Sequence, residues 1–238
     1  MIANPPVRIA VSAAGRHAGL AQALSALLAR SSRRAWMVDC VDLASLPDGP
    51  DVLVQVVDAQ ALAPALADGW HLASAAPHVK GRNGVAVLSR APFDDVRIGC
   101  GAVEFEAHGR YLEVDTAGVT VASVYFPTGE AETDRQLEKE RFMAAVAARM
   151  ARLLDEGREA VLCGDWNIAH TEADIKNWKG NLKKAGFLPQ ERQWLTDVLA
   201  TGWVDVVRQM HPGVAGPYAW WSWRGQAFDN DAGWRIDY

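Results

Sequence analysis

The order of apolar and polar positions along the chain predicts a mixed α/β protein. Short runs rich in Val, Ile and Leu predict buried strands at Val7–Val11, Trp36–Val41 and Asp51–Val57. The last of these, DVLVQVV, is a nearly continuous β-branched run, as expected for a strand buried on both faces. Between the first two, the Ala- and Leu-rich segment Leu20–Arg30 predicts a helix.

The middle of the chain predicts a hairpin followed by a long helix. Two apolar runs, Arg110–Asp115 and Val119–Phe126, flank the turn Ala117-Gly118, a pattern typical of a hairpin. Thr133-x-x-Gln136 has the pattern of a capping box, so we expect a helix to begin there and to end near Leu154.

The last third of the chain predicts further strands and one more helix. A strand at Ala160–Cys163 ends in Gly164-Asp165-Trp166-Asn167, and a helix at Pro189–Leu199 has Pro and acidic residues in its first turn. Tyr218–Trp223 and Trp234–Tyr238 are late strand candidates. We find no internal repeat and no low-complexity linker. The pattern predicts a single domain over residues 1–238, built as a sandwich of two sheets with two or three helices outside.

Composition and charge narrow the class of protein. The net charge of −5 at pH 7 argues against a protein that coats nucleic acid through bulk charge. It leaves room for a local basic groove, because only the charge that faces the phosphates matters. No apolar stretch approaches about 20 residues and no signal-peptide pattern is present, so we expect neither a membrane span nor export. Cys40, Cys100 and Cys163 have no paired spacing, which predicts buried thiols and a cytoplasmic location.

Two strand ends carry candidate chemistry. Asp165 and Asn167 lie two apart, so they point the same way if the extended geometry continues. The carboxylate can accept a proton or orient water, while the amide donates to a phosphate oxygen. Tyr125, at the end of an earlier strand, can aim its hydroxyl at the same phosphate. Taken separately, these residues are equally typical of an ordinary strand-end turn and a core aromatic.

The later sequence carries candidate DNA contacts. One segment interleaves lysines and amides with an aromatic residue, which suits phosphate and sugar contacts or an ordinary solvated loop; it contains Lys176, Asn177, Trp178, Lys179, Asn181, Lys183 and Lys184. The final segment combines aromatic side chains with arginines, which suits an apolar pocket for a sugar that lacks its base, or a core; it contains Trp220, Trp221, Trp223, Arg224, Trp234 and Arg235.

Together, eight segments in this order resemble exodeoxyribonuclease III and the related AP endonucleases of the endonuclease/exonuclease/phosphatase superfamily. They run from about Gly69 to the last residue and read KGRNGVAVLSR, GRYLEVD, VTVASVYFPTGE, EKERFMAAV, LCGDWNIAHTEADIKNWKGN, GFLPQERQW, GWVDVVR and WWSWRGQAFDNDAGWRIDY.

The resemblance implies the DNase I-like α/β fold, a four-layer sandwich of two mixed β-sheets flanked by helices. It implies a monomer that cleaves DNA at abasic sites and 3′ ends with Mg²⁺, and double-stranded DNA carrying such lesions is the implied partner. By resemblance, Asp165 orients the attacking water, Asn167 holds a phosphate oxygen, Tyr125 lies beside the scissile phosphate, and Asp237 positions a catalytic histidine.

The DNA-facing residues also follow from the resemblance. Trp220, Trp234 and Ile236 would line the pocket for the flipped-out abasic sugar, and Arg224 falls where relatives push a side chain into the base stack. Backbone contacts are implied for a set in the lysine-rich loop: Lys176, Asn177, Lys179 and Asn181.

The sequence departs from the family at the metal site. Where the family's first strand ends in a motif containing Asn, this chain has Ser12, Ala13 and Ala14. Where the second key strand ends in the Glu that binds Mg²⁺, it has Val54-Gln55-Val56, and valine supplies no oxygen ligand. Asp58 would share a strand face with Val56 if the strand continues, but it lies one residue pair further on and could substitute only in part. The metal ligands therefore stay unknown, and we expect no octahedral Mg²⁺ site formed by protein side chains.

Family members continue beyond the position of Tyr238, through a Ser-Asp-His motif and a final strand that lies beside the first strand. We therefore expect the catalytic histidine and that strand to be missing, leaving an unpaired edge; an incomplete sequence and a degenerate protein are both open. Three functions follow: an impaired Mg²⁺-dependent DNA-repair nuclease, a non-catalytic relative that binds abasic or nicked DNA, and a phosphoesterase acting on a small or lipid phosphate. GFLPQERQW and WWSWRG favour DNA over the third.

Overall fold

The structure is a computed structural model that describes residues 7–12, 36–39, 52–55, 69–76, 83–222 and 225–238, the first three ranges by their backbone. The predicted helix at Leu20–Arg30 therefore lies outside the described residues, as does Cys40. The described chain forms two sheets, a small hairpin and three α-helices.

The first sheet is mixed and has the strand order β2-β1-β3-β5-β4. Its strands are β1 (Val7–Ser12), β2 (Trp36–Asp39), β3 (Val52–Gln55), β4 (His71–Ala75) and β5 (Val85–Ser89). β1 runs parallel to both neighbours, whereas β5 is antiparallel to β3 and β4. The three early strands predicted from the apolar runs are confirmed. The expectation of an unpaired edge beside the first strand is wrong, because β2 pairs with β1 along that side.

The second sheet has the order β6-β7-β8-β9. Its strands are β6 (Asp95–Ile98), β7 (Tyr111–Thr116), β8 (Val119–Tyr125) and β9 (Ala160–Asp165). The predicted hairpin is β7–β8, and its turn residues Ala117 and Gly118 have φ of 51° and 82°. Two left-handed residues give the turn the twist that antiparallel strands require. β8 and β9 are parallel and are connected through a long helix.

Three helices accompany the sheets: α1 (Asp134–Asp155), α2 (Pro189–Ala200) and α3 (Val206–Met210). α1 and α2 begin and end close to the predicted residues. The capping box predicted at Thr133 and Gln136 is wrong. The Thr133 hydroxyl donates to the carbonyl of Glu130 instead, and the buried amide of Gln136 donates to Glu191 at 3.1 Å. A buried carboxylate needs donors more than a solvated helix end does.

Two apolar layers hold the molecule together. Alternate residues of the two sheets meet face to face, with Val85, Val87, Val114 and Val121 at the centre. The other face of the second sheet packs against α1 and α2 through aromatic side chains, and the Phe126 and Trp166 rings stack with centroids 5.1 Å apart. The predicted sandwich of two sheets with helices outside is confirmed. In the described part of the chain, no helix has the length and apolarity needed to cross a membrane.

The two late strands are shorter than predicted. β10 (Trp220–Trp221) and β11 (Gly233–Trp234) form a small antiparallel hairpin. Beyond β11 the chain runs alongside the end of β9, where the amide of Trp166 donates to the carbonyl of Ile236 at 2.9 Å. The predicted strand Trp234–Tyr238 is thus divided between a hairpin and a contact with the second sheet.

Candidate active site

Strand register brings three of the predicted residues to one end of the second sheet. Tyr125 and Asp165 are directly opposite one another in the parallel pair β8–β9. On the other side of β9, Asp237 pairs with Asp165 in an isolated antiparallel bridge. Asp165 therefore lies between a tyrosine and a second carboxylate, although the three come from distant parts of the chain.

Asn167 reaches the same place by a different route from the one predicted. The chain does not continue in extended geometry, because Asn167 has φ of 52°, in the left-handed region. Its backbone N–H donates to Asp165 Oδ1 at 2.8 Å, and its side-chain amide donates to Asp165 Oδ2 at 3.1 Å and to the carbonyl of Phe126 at 3.0 Å. The turn folds Asn167 back onto the carboxylate, so the two side chains meet.

Burial disfavours the state in which Asp165 and Asp237 are both ionised. Desolvation raises the pKa of Asp165 above the ordinary aspartate range. Desolvation also raises the pKa of Asp237, and the nearby charge of Asp165 raises it further. Two neighbouring carboxyl groups favour the state in which they hold one proton between them. The carboxylate that stays ionised at neutral pH is suited to accept a proton from water.

The described residues do not fit a Mg²⁺ site. This ion prefers six oxygen ligands in near-octahedral geometry, and Asp165 already accepts hydrogen bonds from Asn167 on both oxygens. Within the described ranges, no third carboxylate, histidine or cysteine joins Asp165 and Asp237. Val56 and Asp58 lie outside these ranges. The two strand ends that depart from the family's metal-site motifs lie side by side, since Ser12 is paired with Gln55.

Arg110 is a site residue that the sequence reading did not single out. Its guanidinium carbon lies 5.2 Å from the centre of the Tyr125 ring, and Nη1 donates to the carbonyl of Tyr125 at 3.2 Å. Burial lowers the pKa of Arg110, while the charges of Tyr125 and Asp165 oppose that shift. Among the described residues, its Nε has no acceptor. A cation thus lies beside Tyr125. The sequence feature that could have identified Arg110 is the Gly-Arg pair that opens GRYLEVD.

The predicted pocket tryptophans are neighbours. Trp220 and Trp234 are paired across the β10–β11 hairpin, and their rings meet edge to face with centroids 6.5 Å apart. Trp220 is 45% exposed, whereas Ile236 is buried beneath Trp234 against Ile175 and Phe187. Ile236 therefore belongs to the apolar floor under the tryptophans. Trp223 and Arg224 lie outside the described residues.

The lysine-rich loop is attached to this hairpin. Ile175 forms a bridge with Trp234, and the amide of Lys176 donates to the carbonyl of Gly233 at 3.1 Å. Lys176, Asn177 and Lys179 are exposed. Asn181 is partly buried, and its side-chain amide donates to the carbonyl of Asn177 at 2.8 Å, so it closes the loop. The two elements predicted to contact DNA form one continuous surface.

A buried ionic network anchors that surface to the body of the protein. Asp174 is fully buried and accepts from Arg235 Nε at 2.6 Å, from Thr171 Oγ1 at 2.7 Å, and from Arg208. Arg235 also donates to Asp205 at 2.6 Å. Desolvation opposes these contacts, but the arginines prevail and lower the pKa of Asp174 to about 2.

This shift predicts loss of stability in acid. The folded pKa of Asp174 lies below its ordinary value of 3.8, so its contribution is fully present above pH 4 and is lost as pH falls towards 2. At 1.36 kcal/mol per pKa unit the contribution is about 2 kcal/mol. We expect urea unfolding of Asp174→Asn to vary less between pH 5 and 2 than that of the parent. Asp229→Asn, at an exposed position, is the control; equal slopes in all three proteins would contradict this assignment.

Comparison with known proteins gives a consistent result. A profile of the endonuclease/exonuclease/phosphatase family matches residues 19–238. The exodeoxyribonuclease of Bacillus subtilis (strain 168) is 38% identical over 159 residues, which are 67% of this chain and 63% of that protein. The DNA repair nuclease APEX1 of Danio rerio is 34% identical over 159 residues, 67% of this chain and 51% of its own. The matched chain spans less than two thirds of the length of these curated relatives.

Solved structures show the same likeness in three dimensions. The 3′ phosphatase NExo from Neisseria, bound to product DNA hairpin, is 32% identical and superposes with a TM-score of 0.73, covering 82% of this chain and 76% of that chain.

Proposed function

The chain belongs to the endonuclease/exonuclease/phosphatase family, and from this premise we propose that it is a DNA-repair nuclease of the exodeoxyribonuclease III type, with impaired cleavage. The substrates are DNA phosphodiesters at abasic sites and 3′ ends. The relatives are named as an exodeoxyribonuclease, a DNA repair nuclease and a 3′ phosphatase. The observation that carries the proposal is the register that places Asp165 between Tyr125 and Asp237 at one sheet end.

In this proposal each residue of the site has a role. Asp165 takes a proton from the attacking water, which its raised pKa suits near neutral pH. The Tyr125 hydroxyl faces the scissile phosphate, with Arg110 beside it to balance the phosphate charge. Asn167 holds a phosphate oxygen by exchanging one of its present hydrogen bonds, to Phe126 or to Asp165. Asp237 stabilises the protonated form of Asp165 through their shared proton.

The impaired cleavage follows from the oxygen ligands that the chain offers to a metal. The family depends on a divalent metal, and the strand that should supply a carboxylate reads Val54-Gln55-Val56. Loss of a metal ligand typically costs orders of magnitude in rate. Recognition of DNA relies on other residues, namely the exposed lysines and Trp220 and Trp234. The alternative, favoured by the same donor set, is a non-catalytic relative that binds abasic or nicked DNA.

One experiment separates the two functions. Incision of an abasic-site duplex is measured with and without Mg²⁺, beside binding to the same duplex in EDTA. Slow incision that Mg²⁺ stimulates and Asp165→Asn abolishes supports the nuclease. Binding without incision at any Mg²⁺ concentration supports the non-catalytic relative, and absence of both contradicts the proposal. We also propose that the protein is a monomeric single domain that acts in the cytoplasm.

Trp234 provides a test of abasic-site recognition. Its ring lies against Trp220 and covers Ile236, so its removal opens the floor of the proposed pocket. Contact of an aromatic side chain with a nucleotide contributes about 1–3 kcal/mol. We therefore expect Trp234→Ala to weaken binding to abasic duplex by roughly tenfold, with little change for intact duplex, in fluorescence anisotropy at EDTA. Trp203→Ala is the control, because Trp203 packs in the apolar cluster between the second sheet and the helices and not in the cluster of Trp234. Equal losses on both duplexes would show that the tryptophan is only a core residue.

A further inference from the structure

A buried ion pair connects the two helices behind the candidate active site. Lys139 of α1 and Glu191 of α2 are both fully buried, and Lys139 Nζ lies 2.6 Å from Glu191 Oε1. Lysine and glutamate are almost never fully buried unless paired. A buried pair is nevertheless weak evidence for stability, because desolvation offsets most of the attraction. Its other contacts indicate what else it does.

The lysine holds the loops that follow the two catalytic strands. Lys139 Nζ donates to the carbonyl of Asn167 at 2.8 Å and to that of Thr128 at 3.4 Å. Thr128 follows β8 and Asn167 follows β9, so one ammonium group joins both strand ends. Asn167 has φ of 52°, a conformation that persists in a non-glycine residue when the surroundings fix it. The contact with Lys139 fixes the direction of its carbonyl.

The glutamate holds the loop that precedes α2. Glu191 Oε2 accepts from the backbone amides of Gly186 at 2.7 Å and Leu188 at 2.9 Å. Gly186 lies between the phosphate site and the tryptophan pocket, because a Cβ built on it would lie 3.0 Å from the carbonyl oxygen of Asn167 and 3.3 Å from the ring of Trp234. The pair thus reaches Asn167 through both of its members.

We propose that Lys139 and Glu191 are positioning residues, which set the backbone of Asn167 and, through Gly186, its separation from Trp234. The pair is fully buried, so it acts through those two residues. For the roles of Asn167 and Trp234 the inference rests on the proposed function. That the ion pair fixes the Asn167 turn does not depend on the proposed function.

Two variants isolate the lysine. Glu191→Gln keeps one oxygen for the amides of Gly186 and Leu188 and places its NH2 group in the position of Oε1. It also keeps Lys139, which still has the carbonyls of Asn167 and Thr128 as acceptors. Lys139→Met/Glu191→Gln removes the ammonium as well and leaves no unpaired charge, a replacement that is often neutral for stability. Leu153→Ala, a fully buried position on the same helix, is a control that destabilises the core without touching Asn167.

The first readout is spectroscopic. The chain contains six asparagines, so protein labelled with ¹⁵N-asparagine gives a short amide spectrum in which Asn167→Asp identifies the signals of Asn167. We expect the double variant to shift these signals and to lose the hydrogen-exchange protection of the Asn167 backbone amide. Glu191→Gln and Leu153→Ala should keep both. An unchanged Asn167 in the folded double variant overturns the proposal, and so does a double variant that cannot fold, since the pair would then be structural.

The second readout is binding in EDTA. The double variant loses the hydrogen bond that fixes the Asn167 carbonyl, so we expect it to bind abasic duplex roughly tenfold less tightly than Glu191→Gln does. Equal affinities would overturn the link to recognition. If the parent itself does not prefer abasic duplex, the proposed function fails, and the Asn167 spectrum still decides whether the pair positions that residue.

Discussion

Gly164→Ala is expected to abolish stable folding. Gly164 lies in β9 with φ of 137°, and a Cβ there would overlap the carbonyl oxygen of Val124 in the neighbouring strand β8. The glycine cannot move away, because its amide and carbonyl are bound on the other side to Tyr238 at 2.8 and 2.9 Å. We expect the free energy of unfolding to fall by more than about 4 kcal/mol, the range reserved for severe steric conflict.

Gly180→Ala is the matched control for that experiment. A Cβ at Gly180 meets no atom within 4 Å and its backbone is not left-handed. We expect its free energy of unfolding to stay within about 0.5 kcal/mol of the parent. Urea denaturation followed by tryptophan fluorescence measures both variants. A Gly164→Ala protein as stable as Gly180→Ala would show that β8 and β9 are further apart than described.

Arg235→Met should cause the second large loss. The guanidinium of Arg235 is fully buried and joins Asp174 to Asp205, at 2.6 Å from each. Removing it leaves two carboxylates with fewer donors in an apolar setting. Breaking a buried ion pair from one side typically costs about 3–5 kcal/mol, and we expect a loss of that size in urea denaturation.

Arg97→Met shows whether burial is the cause. Arg97 has the same kind of contacts, to Glu113 and Asp115 at 2.7 Å, but its side chain is 30% exposed. Water can replace part of what it supplies, so we expect a loss of about 1 kcal/mol or less. If both variants lose the same free energy of unfolding, burial of the charge is not the cause, and the loss comes from side-chain packing.

The parts of the fold that sequence predicted are those with local causes. Period-two apolar runs and the Ala117-Gly118 turn defined the β7–β8 hairpin, and Asp165 followed from a buried strand that ends in polar residues. The family resemblance, now confirmed, added Asp237 to the site where Asp165 and Tyr125 were expected from their strand ends. The register confirms that these residues meet, because strand pairing carries each of them to one sheet end.

The parts that sequence did not predict depend on distant partners. Lys139 lies on the same face of α1 as the buried Phe142 and Met143, but a lysine is seldom fully buried, and its burial depends on Glu191 in another helix. Thr133 and Gln136 have the residue types of a capping box, but the side chain of Gln136 donates to the buried carboxylate of Glu191 instead. The left-handed turn at Asn167 likewise depends on contacts with Phe126 and Lys139. No local pattern contains this information.

The contact of the last residues with β9 has a kinetic consequence. The Tyr238 hydroxyl donates to the carbonyl of Ile168 across 70 positions of sequence, whereas the β7–β8 hairpin closes over a two-residue turn. Loop-closure entropy is lost before a distant contact returns any energy, so local pairings form early and distant ones late. Asp237 cannot face Asp165 until β9 exists to receive it. We therefore expect the carboxyl pair to assemble late in folding, on a framework that is already in place.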